Sequence, residues 1–157
     1  MGELTQLIKQ HYRNVSEGHI EHDRDVMSDD IIHISATAGT VTGIEAFLAF
    51  VTAFKQAFPD LRWEMREFIE GSDTVAAEGV FTGTNTGTMI RPRGPIPATG
   101  RRVELPFCDI WKCAMDESSR IVFTMIRSLF RSTWVDAITI TNRSRMLRIS
   151  HIDKSPS

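Results

Sequence analysis

The residue best placed to do chemistry is Asp109. In the run Phe107-Cys108-Asp109-Ile110-Trp111 it shares a period-two face with Val103, Leu105, Phe107 and Trp111, which is an apolar and therefore buried face. A carboxylate there loses hydration, which raises its pKa toward neutrality and fits it for proton transfer. The same placement also suits an Asp bonded to buried backbone, or one paired with Arg62 or Arg101. His33 lies among Ile31, Ile32 and Ile34. If it faces the same hollow it can orient or share the proton of Asp109; otherwise it is a core or edge histidine. Glu78, beside Val80, either lines that hollow or points to solvent. Phe47, Phe54, Trp63, Phe107 and Trp111 are core by default, and become walls for a flat apolar ligand if the core is hollow.

Other chemistries lack their residues. His11, His19 and His22 have no third ligand at metal-binding spacing, so no metal is expected. There is no G-x-S-x-G nucleophile motif, and Cys108 falls on the face opposite Asp109. Gly83-Thr84-Asn85-Thr86-Gly87 lacks the spacing and following helix of a phosphate loop.

The elements that must position these residues read in order. Leu4, Leu7, Ile8, Tyr12 and Val15 recur at helical spacing and Gly18 ends the helix; residues 19–27 read as a second short helix with a wet face. Ser28-Asp29-Asp30 breaks the pattern before a strand at residues 31–34. Thr42-Gly43-Ile44-Glu45 fits a capping box, opening a helix whose stripe is Ile44, Phe47, Leu48, Val51 and Phe54 and which Pro59 stops. Leu61, Trp63 and Met65 alternate with Arg62, Glu64 and Arg66 in a strand that turns at Gly71-Ser72-Asp73 into a hairpin partner at residues 74–82. A long Gly/Pro-rich connection, 83–100, precedes the alternating strand 101–112, a turn at 115–119, and strand character at 121–123 and again at 125–140. Helices first and mostly antiparallel strands after them predict an α+β fold, with helices on one face of a curved sheet.

At 157 residues the chain suits one domain spanning residues 1–157, with 142–157 a divergent tail. A net charge of −2 gives no field for nucleic acid or a membrane surface, and no apolar run approaches a bilayer span. Two cysteines and a polar, acidic start predict reduced thiols in a cytoplasmic protein without a targeting segment. From Arg120 onward seven basic residues face two acidic ones, whereas the first 119 residues carry 11 basic and 18 acidic.

Four short motifs in order carry a family resemblance: Ala57-Phe58-Pro59-Asp60-Leu61-Arg62, Gly83-Thr84-Asn85-Thr86-Gly87, Ile96-Pro97-Ala98-Thr99-Gly100-Arg101 and Asp109-Ile110-Trp111. Over residues 5–124 the chain resembles the SnoaL-like polyketide cyclases of the NTF2-like group. The resemblance implies a cone-shaped α+β barrel of about three helices and a curved antiparallel sheet, commonly a homodimer. It also implies ring closure or isomerisation of a small polyketide-like metabolite by proton transfer in an apolar pocket, without metal or organic cofactor. Positions matching Asp109 and His33 are pocket positions in that family, which makes these two the expected catalytic residues. Trp63, Glu78, Asn85, Phe107, Trp111, Phe47 and Phe54 are the expected substrate contacts. The chain departs from the family's pattern in two places. Asn85 stands where a histidine is usual, and no carboxylate follows Ile121 until Asp136, where the family's last strand carries its catalytic Asp. Either Asp109 takes over the proton work, or the cone serves as a ligand-binding or dimerisation module. Epoxide or ester hydrolysis is a third use of such a cone, for which Asn85 is the candidate water-holding amide.

Overall fold

The computed structural model describes residues 2–35, 38–90, 94–117 and 121–130. The chain runs α1 (Glu3–Glu17), a 3-10 helix (Ile20–Asp25), β1 (Met27–Ser35), β2 (Gly39–Thr42), α2 (Ile44–Ala57), β3 (Arg62–Glu70), β4 (Thr74–Thr84), β5 (Arg102–Met115) and β6 (Ile121–Phe130). The six strands form one sheet in the order β2-β1-β6-β5-β4-β3. Neighbours are antiparallel except β1 and β6, which run parallel. The α+β architecture thus matches the sequence expectation, with two α-helices and a 3-10 helix as the helical layer and one parallel pair in the sheet.

The helices form where the apolar spacing places them. All five stripe residues of α2 are buried, each contributing roughly 1.5–3 kcal/mol of hydrophobic stabilisation. α1 ends at Gly18, whose φ of 85° is the left-handed conformation a Gly C-cap supplies without a Cβ penalty. The expected capping box does not form. Gly43, at φ 88°, is the N-cap of α2, and no side chain caps the helix. Glu45 instead meets Arg24 at 2.5 and 3.0 Å. With Gly43 rather than Thr42 as the N-cap, Glu45 falls at the second helical position instead of the third that a capping box needs.

The strands depart from simple alternation in two places. β1 begins earlier than predicted, at Met27, because exposed Asp29 and Asp30 lie within an irregular stretch of its pairing with β6. In β3 the register slips between Met65 and Glu67, leaving Arg66 as an extra residue opposite β4. This β-bulge restores Phe68 to the inner face, so the alternation expected through Arg66 breaks there. The predicted segment 125–140 proves to belong, as far as residue 130, to β6, which starts at Ile121. Asp136, the remainder of that segment and the tail 142–157 lie outside the described residues.

The long connection after β4 is pinned by three of the four motifs. The Asp60 carboxylate accepts from Thr84 N at 2.6 Å and Thr84 Oγ1 at 2.7 Å. The Ala57 carbonyl, at the end of α2, accepts from the amides of Thr86 and Gly87. A Cβ on Gly87 would stand 2.4 Å from the Gln56 carbonyl oxygen, so only glycine allows this approach. Asn85, 1% exposed, donates to the Gly87 carbonyl and accepts from Thr99 N and Oγ1 at 3.0 Å each. Met89 and Ile96 then bridge the arms of the connection.

Candidate functional site

The inner face of the sheet and the helices above it enclose an aromatic interior. Trp63 and Phe107 meet edge to face at 4.9 Å, as do Trp111 and Phe123. Phe54 stacks on Trp63 at 6.2 Å and lies 5.3 Å from Phe81. Among the described residues these rings pack much of the space between helices and sheet. An open cleft of about 590 Å³ lies between α1 and β3. Lys9, Tyr12, Arg13 and Ser16 line it from one face of α1; Trp63, Met65, Arg66 and Phe68 line it from β3.

Asp109 occupies the predicted place, 5% exposed on the inner face of β5. Its Oδ2 accepts a 2.5 Å hydrogen bond from the hydroxyl of Tyr12. Burial pushes the Tyr12 pKa well above the usual phenol value, and the Asp109 charge pushes it further. The Trp111 indole N–H opposes that rise without reaching hydrogen-bonding geometry. The phenol accordingly keeps its proton and donates it to the carboxyl oxygen. Tyr12, 4% exposed, also forms part of the cleft floor, so it stands between the cleft and the carboxylate.

His33 is buried at 6% exposure, with ring centroids 5.0 Å from Phe50 and 5.7 Å from Phe47. Neither ring nitrogen has a hydrogen-bond partner among the described residues, so the structure does not bring His33 into contact with the proton of Asp109. The sheet register gives the reason. His33 aligns through Ile126 with Trp111, whereas Asp109 aligns through Ser128 with Ser35. Two strand spacings, roughly 10 Å, separate the β1 and β5 backbones. Burial, together with the neighbouring His11, lowers the His33 pKa to about 4, keeping the ring neutral.

The remaining predicted contacts divide. Trp63 lines the cleft. Phe107 and Trp111 pack behind it against Tyr12 at 5.9 and 5.8 Å. Phe47 and Phe54 lie on the buried face of α2 and do not line the cleft. Glu78 is corrected: it is exposed on the outer face of β4, opposite Cys108, because the pleat turns it away from Ala77 and Gly79. Asn85 is corrected as well. Its amide is spent on holding the connection to Thr99 and Gly87, which removes it as a water-holding group in a pocket.

Several interior polar residues escaped the sequence reading. His11 Nδ1 meets Asp23 Oδ2 at 2.8 Å, and Asn14 donates to Asp23 Oδ1 at 2.9 Å. Asp23 is fully buried although it belongs to the segment read as wet. The His11 ring lies 5.0 Å from Trp111, beside Tyr12. The available signal was the polar pair His11 and Asn14 flanking the apolar stripe of α1, three residues apart. Among the described residues no three His, Cys, Asp or Glu side chains gather as for a metal, and no helix is long and apolar enough to cross a membrane.

The fold and this arrangement can be set beside known proteins. Comparison by sequence with curated proteins finds no significant match. Among solved structures, a protein provisionally named a SnoaL-like polyketide cyclase from Jannaschia sp. CCS1 is similar at TM-score 0.72 and 19% identity, covering 85% of this chain and 89% of its own. A SnoaL-like polyketide cyclase from Agrobacterium tumefaciens C58 is similar at TM-score 0.68 and 16% identity, with coverage of 87% and 98%. AclR from Streptomyces galilaeus, provisionally named a hydroxylase, is similar at TM-score 0.66 and 18% identity, with coverage of 85% and 93%. At these identities the likeness is one of fold. The SnoaL-like domain profile matches residues 8–122, spanning every motif from α1 to the start of β6, and the chain belongs to the SnoaL-like domain family.

Proposed function

We propose that the protein transfers a proton at a carbon acid in a small polyketide-like molecule, closing or isomerising a ring without a cofactor. The observation that carries this reading is the 2.5 Å Tyr12–Asp109 bond at the floor of a cleft with aromatic walls. The phenol faces the ligand and the buried carboxylate stands behind it. As the Tyr12 oxygen takes a proton from the substrate carbon, its own proton passes to Asp109 Oδ2. The C–H electron pair becomes an enolate, whose carbon attacks a second carbonyl in the same molecule. The resulting alkoxide recovers the proton from Tyr12, and Asp109 returns its own to the phenol. Substrate and product then have the same mass.

A further feature supports a ligand with oxygen functions. The Trp63 indole N–H lines the cleft and is buried without a hydrogen-bond partner among the described residues. Such a group costs roughly 1–3 kcal/mol when left unpaired, which a carbonyl or hydroxyl of a bound polyketide would offset. The names of the A. tumefaciens and Jannaschia proteins point to the same substrate class.

The test is incubation with linear and partly cyclised polyketides, read by mass and ring structure. Asp109→Asn is expected to lower turnover by roughly two to four orders of magnitude, the loss typical of an acid–base group. Unchanged turnover in that variant removes Asp109 from the mechanism. A product heavier by one water would replace ring closure by hydrolysis.

A further inference from the structure

The cleft lining is entirely cationic in its charge. Lys9, Arg13 and Arg66 contribute to it, and no carboxylate does. This is unusual for a domain whose first 119 residues carry 18 acidic side chains against 11 basic ones. Several basic residues outside the cleft find acids. Arg24 bonds Glu21 and Glu45, Lys112 meets Asp73, and Arg102 approaches Asp60. Arg13 and Arg66 make no hydrogen bond or ion pair with any described residue, and Lys9 lies 5.0 Å from the Phe68 ring centroid.

The placement of Arg66 is a product of the fold. Regular alternation would carry its side chain to the outer face with Glu64. The β-bulge between Met65 and Glu67 gives β3 an extra residue at this point and brings Arg66 to the cleft beside Met65. Across the cleft, Lys9 and Arg13 lie four residues apart, one turn of α1, on the face that also carries Tyr12. Guanidinium groups on both walls, with Trp63, Met65 and Phe68 sharing the β3 wall with Arg66, suit a flat apolar body that carries an anionic oxygen group at one end.

We propose that the cleft recognises the carboxylate of its ligand through Arg66 and Arg13, so that the substrate class is a polycyclic or polyketide carboxylic acid. This deepens the proton-transfer reading and rests on its use of the same cleft. The carboxylate would anchor at the rim while the apolar body reaches Tyr12.

The experiment measures binding of anthraquinone-2-carboxylate and of anthraquinone-2-carboxamide by calorimetry, to the wild type, Arg66→Gln, Arg13→Gln and the double variant. The acid is expected to bind the wild type roughly five- to tenfold more tightly than the amide, as partly solvated charge pairs allow. That preference should shrink in each single variant, vanish in the double variant, and weaken as salt is raised. Equal affinity of acid and amide for the wild type overturns the proposal, as does a preference that survives in the double variant, or the failure of both probes to bind. Asp109→Asn separates this proposal from the proton-transfer reading, because it leaves the rim intact. Loss of turnover in that variant without any acid preference in the wild type would sink the anion site alone. An acid preference with turnover undiminished by Asp109→Asn would sink the proton-transfer role alone.

Discussion

The neutral burial of His33 makes acid sensitivity the most direct physical test of the interior. A histidine whose folded pKa is about 4, against an ordinary value of 6.5, is protonated in the unfolded chain before it is protonated in the folded one. The unfolded state therefore binds more protons between those values, and stability rises with pH across that window. The contribution is fully present above the unfolded value and is lost as pH falls toward the folded one. Between neutral pH and about pH 4.5 the difference amounts to roughly 2.5 kcal/mol for this residue alone. Replacing His33 with Phe retains an aromatic ring beside Phe47 and Phe50 and deletes two buried nitrogens that lack partners. Chemical denaturation of both proteins at several pH values isolates the effect, since the carboxylates titrate in each. The wild type should lose more stability on acidification, by an amount approaching that figure, while the variant equals or exceeds it at neutral pH. Parallel stability curves down to about pH 4.5 would show that His33 is accessible or partnered, and would refute the argument from its burial.

Tyr12→Phe deletes the donor to Asp109 Oδ2 and should cost roughly 1–3 kcal/mol in denaturant unfolding, as a buried acceptor loses its hydroxyl. Its effect on turnover should overlap with that of Asp109→Asn rather than multiply with it, because the two groups act as one unit; full additivity in the double variant would argue against a relay. Asn85→Ala removes the clamp on Thr99 and Gly87 and should lower stability by roughly 2–3 kcal/mol, measurable by denaturation, with ligand affinity retained in the folded fraction. Glu78→Gln, on the outer face, should leave turnover and affinity unchanged in steady-state assays; a large loss would mean the outer face takes part.

Where a single period governed the outcome, the residues were readable in advance. Asp109, Phe107 and Trp111 face inward because β5 alternates without interruption as far as Lys112. The α2 stripe is buried residue for residue. Reading failed where a local rule met a longer-range competitor. Arg66 was assigned to the wet face because a bulge leaves little trace in residue type; the visible sign is Phe68, which breaks the parity set by Trp63 and Met65. Asp23 looked solvated in its run of His, Asp and Glu, yet His11 and Asn14 bury it from nine and twelve residues upstream. Asn85 carried the right chemistry for a site and spends it on the backbone. The separation of His33 from Asp109 was set by β6 entering between β1 and β5, a matter of strand order that no local pattern encodes.

The division between what the motifs do and what the site does has a consequence for inferring reactions in this family. Asp60, Asn85, Gly87 and Thr99 stand in three of the four motifs that carry the resemblance, and their contacts tie the end of α2 to the connection after β4. These contacts fix the scaffold. The pair proposed to handle the proton joins residues 97 positions apart, one on β5 inside the fourth motif and one on α1 outside all of them. The groups proposed to read the ligand's charge also lie outside the motifs, on α1 and at a bulge in β3. A chain can keep every scaffold motif while α1 changes its face, and its fold would then survive a change of substrate or of reaction. The decisive comparison among proteins of this fold is therefore the set of side chains that α1 and β3 present to the cleft. For this chain that set is a phenol backed by a carboxylate, an aromatic wall and a cationic rim.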